Sequence, residues 1–234
     1  MRLLLLYTSH RQIEEIEIAK YFFNKNPFLR KFDVLLHCNN PSIDKQRVTD
    51  ILNGFETNNK RIIFGTQNSG HHAGVAEAVD EVYGELCGYD FVVHTHPDVF
   101  LVDTTKLENT LLENSSKEVD YIAWQLPQHA PWEPDGFQRD PEYASDFFIF
   151  APKAANNVFK HHVEYWKKFP QSGCERFLYY ATHREHLKVA RLDRDPHGAM
   201  DPSANAQQIT PEPFGIWHSH NLSYVKEYIQ EHDK

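Results

Sequence analysis

Short runs of consecutive apolar residues alternate along the chain with longer stretches of helical period. Residues 3–7, 32–37, 60–64, 91–95, 121–125, 147–151 and 187–192 read as strands. Between them, helices are expected over 13–23, 48–55, 75–86, 105–113, 153–167 and 174–184, with a last one over 222–231. In the first helix Ile13, Ile16, Ala19, Tyr21 and Phe23 fall near a 3.6-residue period with charges between them, and Thr104 or Thr105 is the expected cap of the helix that follows. Strand and helix alternating in this way predict an α/β layer architecture with a largely parallel sheet.

The connections differ in character. Residues 65–74 hold three glycines, 126–143 carry four prolines and read as a long surface loop, and 194–214, rich in Pro, Asp and Gly, read as an irregular lid or linker. In open α/β sheets ligands bind beyond the carboxyl ends of the strands, near a switch in strand order. Tyr7-Thr8-Ser9, Cys38-Asn39, the 65–70 loop and the segment His94 to Asp98 all sit at such ends, so four polar strand ends are expected along one edge.

Composition narrows the classes. The chain has 234 residues and a formal net charge of −9, a length that suits one domain and a charge that disfavours general binding to nucleic acid or anionic membrane. Cys38, Cys87 and Cys174 are far apart and lack metal-binding spacing, so they read as free thiols in a reducing compartment, with a cytoplasmic location expected. The N-terminal leucines are too few for a signal core, and no run reaches the roughly 18 apolar residues of a membrane span.

Asp98 follows an apolar strand by three residues and stands beside His96. A carboxylate would repel a nucleoside diphosphate unless a divalent cation bridged them, and Mg²⁺ or Mn²⁺ accepts carboxylate, imidazole and phosphate oxygen together. Asp98 capping a turn after Pro97 is the plain alternative.

The run from Asn68 through Gly70, His71 and Gly74, followed by Gly88-Tyr89-Asp90 and then His96-Pro97-Asp98, resembles the GT-A glycosyltransferases. In those enzymes a Rossmann-like, mixed but mostly parallel sheet flanked by helices binds a nucleotide-sugar beside an Asp-any-Asp motif. The resemblance implies that Asp98 and His96, the latter replacing the first acid, bind metal and diphosphate, and that His218 or His220 completes the metal sphere. It also implies that Tyr7, Thr8, Ser9, Arg11 and Asn39 hold the base and ribose, while Asn68, Gly70 and His71 approach the ribose or diphosphate. Gly173-Cys174-Glu175 is similar to the segment that carries the acceptor-activating base in inverting members, which makes Glu175 the expected base. Asp146, in a strand that would touch donor sugar and acceptor, is the second candidate. Trp124, Trp132, Phe137 and Trp217 are expected to offer flat faces to a sugar ring.

The resemblance therefore implies a single domain with a donor-binding half, 1–125, and an acceptor-binding half with a C-terminal tail, 126–234. Its reaction moves a hexose or deoxyhexose from a UDP- or GDP-sugar to a hydroxyl of a glycan or other acceptor, assisted by Mn²⁺ or Mg²⁺ and with inversion. Two other readings stand beside it. His94-Thr95-His96-Pro97 resembles the start of the zinc motif of JAMM-type isopeptidases, although Thr104 and Leu107 stand where its Ser and Asp belong. A catalytically inactive sugar-nucleotide-binding module would explain His96 and Arg176 at positions usually acidic. A nucleotidyltransferase is disfavoured because residues 7–12 contain no glycine for a triphosphate loop.

Overall fold

The computed structural model describes residues 1–10, 12–65, 70–126, 141–194 and 210–233, excepting the side chains of 70–72. The chain opens with β1 (Leu3–Ser9), α1 (Ile13–Lys25), β2 (Asp33–Cys38), α2 (Lys45–Asn53) and β3 (Lys60–Phe64). Next come α3 (Gly70–Leu86), β4 (Phe91–Thr95), β5 (Val99–Leu101), α4 (Thr105–Ser116), β6 (Tyr121–Gln125) and β7 (Tyr143–Phe150). It ends with α5 (His162–Lys168), α6 (Cys174–Arg184), β8 (Val189–Arg191), β9 (Ile216–His218) and α7 (Leu222–His232).

Seven strands form one sheet in the order β3-β2-β1-β4-β7-β6-β8, and β7 runs against both of its neighbours while the other pairings are parallel. Both faces are covered, which explains the unbroken leucine run of β1. Leu3, Leu5 and Tyr7 join a core with α1 and α2, whereas Leu4 and Leu6 join a core with α3 and α6.

Local chemistry sets the helix ends. The Asp44 side chain accepts from the Arg47 amide at 3.0 Å to start α2, and Asn221 accepts from the Ser223 amide at 3.2 Å to start α7. At α4 the capping oxygen comes from Asp103, which accepts from the Thr105 amide at 2.8 Å; Thr104 instead bonds Asn26. The helix expected over 153–167 is interrupted. Two 3₁₀ turns, Ala155–Asn157 and Phe159–His161, precede α5, and their three-residue period lays Ala155 and Val158 into one buried line. The α3 helix begins at Gly70, five residues before the expected start.

A second, two-stranded sheet was not expected from the sequence. β5 and β9 pair antiparallel, with Val99 opposite His218 and Leu101 opposite Ile216. Gly215 makes the entry to β9 with φ +91°, its carbonyl accepting from the amides of Val102 and Asp103 at 2.9 and 3.2 Å. A Cβ at Gly215 would lie 2.0 Å from the Asp103 carbonyl oxygen, so no other residue fits this close approach. This small sheet carries His218 back across the end of β4.

Candidate functional site

β1 and β4 lie side by side, yet the chain leaves β1 toward β2 on one side and β4 belongs with β7 and β6 on the other. The crevice at their carboxyl ends is the switch point where such folds take ligands. Polar residues gather there. Thr8 Oγ1 and His94 Nε2 are 2.9 Å apart across the two strands. Ser9 donates to Gln12 at 3.3 Å, and His10 Nδ1 lies 3.0 Å from the side-chain oxygen Oδ1 of Asn39, just past β2. His10 and Gln12 were missed in the sequence because nothing distinguishes them from ordinary loop residues.

Tyr7 is not part of that polar group. It is buried in the core with its ring 6.0 Å from Phe55, and burial raises its phenol pKa above the ordinary value. Arg11 and Asn68 lie outside the described residues, as does the side chain of His71; Gly70 is the first residue of α3.

Asp98 is the centre of the site. It is only 4% exposed. His220 Nδ1 lies 2.9 Å and His218 Nε2 3.9 Å from its Oδ2, while its buried Oδ1 has no hydrogen-bond partner among the described residues. One ligand atom from each of Asp98, His218 and His220 falls within 4.8 Å of the others. A carboxylate and two imidazoles form a donor set that suits a divalent metal, and Asp98 Oδ1 has a lone pair that no described residue uses. Burial works against the charge on Asp98, but His220, His218 and His96 together hold its carboxyl below the usual range.

His96 stands beside this cluster and not within it. Its amide donates to the Asp146 carbonyl at 3.0 Å and its ring meets His94 edge-on at 5.5 Å. Burial lowers its imidazole below 6.5, and the pull of Asp98 and Asp146 recovers only part of that. His94 is wholly buried, with its ring stacked on Phe148 at 4.3 Å and Nε2 engaged by Thr8. It packs as a core histidine, so the His94/His96 pair does not form the zinc grip of an isopeptidase.

A break in the β6–β7 ladder positions the next residue. Ala123 pairs with Phe148 and Gln125 with Tyr143, so Trp124 alone on β6 faces the run from Ala144 to Phe147 on β7. The extra residues on β7 interrupt the ladder there, as a β-bulge does, and Asp146 lies among them. Its carboxylate takes the Arg194 guanidinium through Nη1 and Nη2 at 3.2 Å, and it accepts from His218 Nδ1 at 3.2 Å. Arg194 also donates through Nε to Glu212 at 2.9 Å. An alternating chain of charges therefore runs from Glu212 through Arg194, Asp146 and His218 to Asp98. Burial opposes ionisation of Asp146, yet Arg194 and His218 hold its carboxyl well below the carboxylate range. Asp146 and Asp98 in turn raise His218 against its own desolvation.

Arg194 and Glu212 fall at the two ends of the segment expected to be a lid, and both are buried. Of the stretch between them, 195–209 lies outside the described residues, as do Trp132 and Phe137 in the 127–140 stretch. Trp217 is fully buried and meets Tyr228 of α7 edge-on at 5.4 Å, so it is a core residue and not a platform for a sugar; Trp124 is buried as well, under Arg194.

Glu175 occupies the first turn of α6, after Gly173. The Ser145 hydroxyl donates to Glu175 Oε1 at 2.5 Å, so the stretch of β7 that holds Asp146 also carries the residue that holds Glu175. A Cβ on Gly173 would lie 2.8 Å from Glu175 Oε2; the glycine leaves the carboxylate room to fold over its own helix start.

No protein-family model matches the chain, and no curated protein matches its sequence. Solved structures do. An active-site mutant of LgtC superposes with a TM-score of 0.58 at 13% identity, over 93% of this chain and 87% of LgtC. The glycosyltransferase GlyE of Streptococcus pneumoniae TIGR4 gives 0.55 at 14% identity over 84% of this chain, which spans 46% of GlyE. S. aureus TarS in complex with UDP gives 0.55 at 10% identity, over 82% of this chain and 58% of that one. The chain thus spans about half the length of GlyE. The sheet order and the likeness together make this the GT-A fold of nucleotide-sugar glycosyltransferases. Among the described residues no helix is long and apolar enough to cross a membrane.

Proposed function

We propose that the chain transfers a hexose or deoxyhexose from a nucleoside-diphosphate donor to a hydroxyl acceptor, with a divalent metal and with inversion at the anomeric carbon. The observation that carries this reading is the Asp98–His218–His220 cluster with its unpartnered buried oxygen, set at the switch point of a GT-A sheet. UDP in the TarS complex supports a uridine or similar donor, and at the switch point Ser9, His10 and Asn39 supply polar groups for it. Residues 1–125 would hold the donor and 126–234 the acceptor. The three free thiols support a reducing, cytoplasmic setting.

The residues divide the work. Asp98 and His220 would hold the metal, Mn²⁺ or Mg²⁺, with His218 presented by Asp146. Bound there, the cation neutralises charge on the departing diphosphate. Glu175 removes the acceptor proton as the acceptor oxygen bonds to the anomeric carbon and the bond to the diphosphate breaks. Asp146 is poorly suited to that task because Arg194 and His218 occupy its oxygens and keep its proton affinity low. His96, outside the metal cluster, lines the site beside it.

Calorimetric titration with UDP and GDP, with and without Mn²⁺, tests the reading. Wild type should need Mn²⁺ for tight binding of one of them, and Asp98→Asn should lose at least about tenfold in affinity. Tight Zn²⁺ binding without affinity for either nucleotide would sink it.

A further inference from the structure

A groove of about 920 Å³ opens where Pro141, just before β7, meets α5 and α6. Its walls are aromatic. Tyr179 and Tyr180 come from α6, with Tyr165 and Phe169 opposite them. Phe169 and Tyr180 are 40% and 38% exposed, each with its ring 5.1 Å from that of Tyr165, so they stand as braced flat faces open to solvent.

The charge of the lining is unlike that of the chain. The protein carries −9, yet among the described residues no Asp or Glu lines the groove, while Lys168, Arg176 and Arg184 do. Glu142 lies 3.5 Å from Arg176 and Glu164 3.1 Å from Arg184, both from outside the walls. Lys168 is exposed, its ammonium 5.2 Å from the Phe169 ring centre. The groove also begins beside the proposed reaction centre. Tyr179 follows Glu175 by four residues on α6, which puts them on one helix face about 6 Å apart along the axis. From Arg176 to Arg184 the lining then runs about 12 Å away from Glu175.

We infer that this groove is the acceptor subsite of the transferase proposed above, a role that rests on that reading, and that it takes an anionic saccharide. Sugar rings lie on Tyr179, Tyr180 and Phe169, whose faces suit their C–H surfaces, and the acid group faces Lys168 and Arg176. The end nearest Tyr179 presents its hydroxyl to Glu175. A neutral glycan would form no charge pair with the cations, and a plain acidic peptide would leave the aromatic faces uncovered.

The test is calorimetry on the full chain without donor or metal, using trigalacturonate, the neutral maltotriose and tetraglutamate as probes. Trigalacturonate should bind about tenfold or more tighter than either control. Tyr180→Ala and Lys168→Ala, both at exposed positions, should each weaken it about tenfold while leaving UDP binding in Mn²⁺ unchanged, which also shows that they fold. Equal binding of maltotriose or of tetraglutamate would overturn the assignment, as would trigalacturonate binding that neither substitution alters. If groove binding behaves as expected but neither UDP nor GDP ever binds, the transferase reading and the acceptor role fail while the anionic-saccharide site stands.

Discussion

The Nδ1–H of His218 donates to Oδ2 of Asp146 at 3.2 Å, and this bond decides which nitrogen His218 turns toward Asp98. With Nδ1 occupied, Nε2 is the atom left at 3.9 Å from the Asp98 carboxylate. A carboxylate behind a histidine fixes its tautomer and raises its basicity as a ligand. Asp146→Asn should therefore weaken Mn²⁺ binding by about 10- to 100-fold. Electron paramagnetic resonance of free Mn²⁺ during a protein titration measures this, and an unchanged affinity would show that His218 is not oriented through Asp146.

Behind Asp146 stands a buried guanidinium shared by two carboxylates. Arg194 and Glu212 are both buried, and Arg194 reaches Asp146 by three contacts of 3.2 Å. Arg194→Met would take the shared cation from both acids. Removing one partner from a buried ionic group typically costs about 3–5 kcal/mol, and that loss is expected in the free energy of unfolding by urea. A loss below about 1 kcal/mol would mean that water replaces the guanidinium readily.

How much of this was legible in the sequence depended on range. The strands 60–64, 91–95 and 121–125 were read to the residue, and so was α6, because burial on both sheet faces and a clear helical period leave local marks. Asp98 was legible from its place just past an apolar strand, and His218 and His220 only through the resemblance to the GT-A enzymes. Their assembly was not, since it depends on three-residue strands that pair from distant parts of the chain around Gly215. The break in the β6–β7 ladder leaves no trace, as only 147–151 reads as a strand where β7 spans Tyr143–Phe150, and only the offset against β6 shows where Asp146 leaves the ladder. Arg194 and Glu212 were lost in a segment read as linker, because an isolated Arg or Glu has no periodicity to betray its burial.

Acid sensitivity should begin with His94. Its burial lowers the imidazole well below 6.5, so the unfolded chain takes up a proton that the folded protein resists. The contribution of His94 is full above about pH 6.5 and falls as the pH drops below it, by up to ~1.4 kcal/mol per pH unit. His96, also lowered, acts in the same direction, whereas raised His218 contributes at low pH and loses that contribution as the pH rises through its folded value. Asp98 and Asp146 lie below 3.8, so their contributions are lost only in stronger acid. Comparing wild type with His94→Gln isolates the first effect: unfolding free energies measured from pH 7 to 5 should fall less steeply in the variant. Parallel curves would show that His94 takes up its proton without cost in the folded state.

The role given to Glu175 can be tested without touching Glu175. Gly173 is extended, with φ −72° and ψ 163°, so an alanine there is free of backbone strain. Its Cβ would nevertheless stand 2.8 Å from Glu175 Oε2, and the end of a flexible side chain is what must give way. The carboxylate would swing off the Ser145 hydroxyl and away from the acceptor, while Asp98, His218 and His220 stay in place. Gly173→Ala should therefore lower kcat by about tenfold or more, with the KM for the donor and the unfolding midpoint nearly unchanged. Ser145→Ala, which removes the same restraint from the other side, should act in the same direction but more weakly, since Glu175 then keeps its room and loses only its anchor. A rise in donor KM with kcat preserved would place Glu175 in donor binding and return the search for the base to the rest of the site.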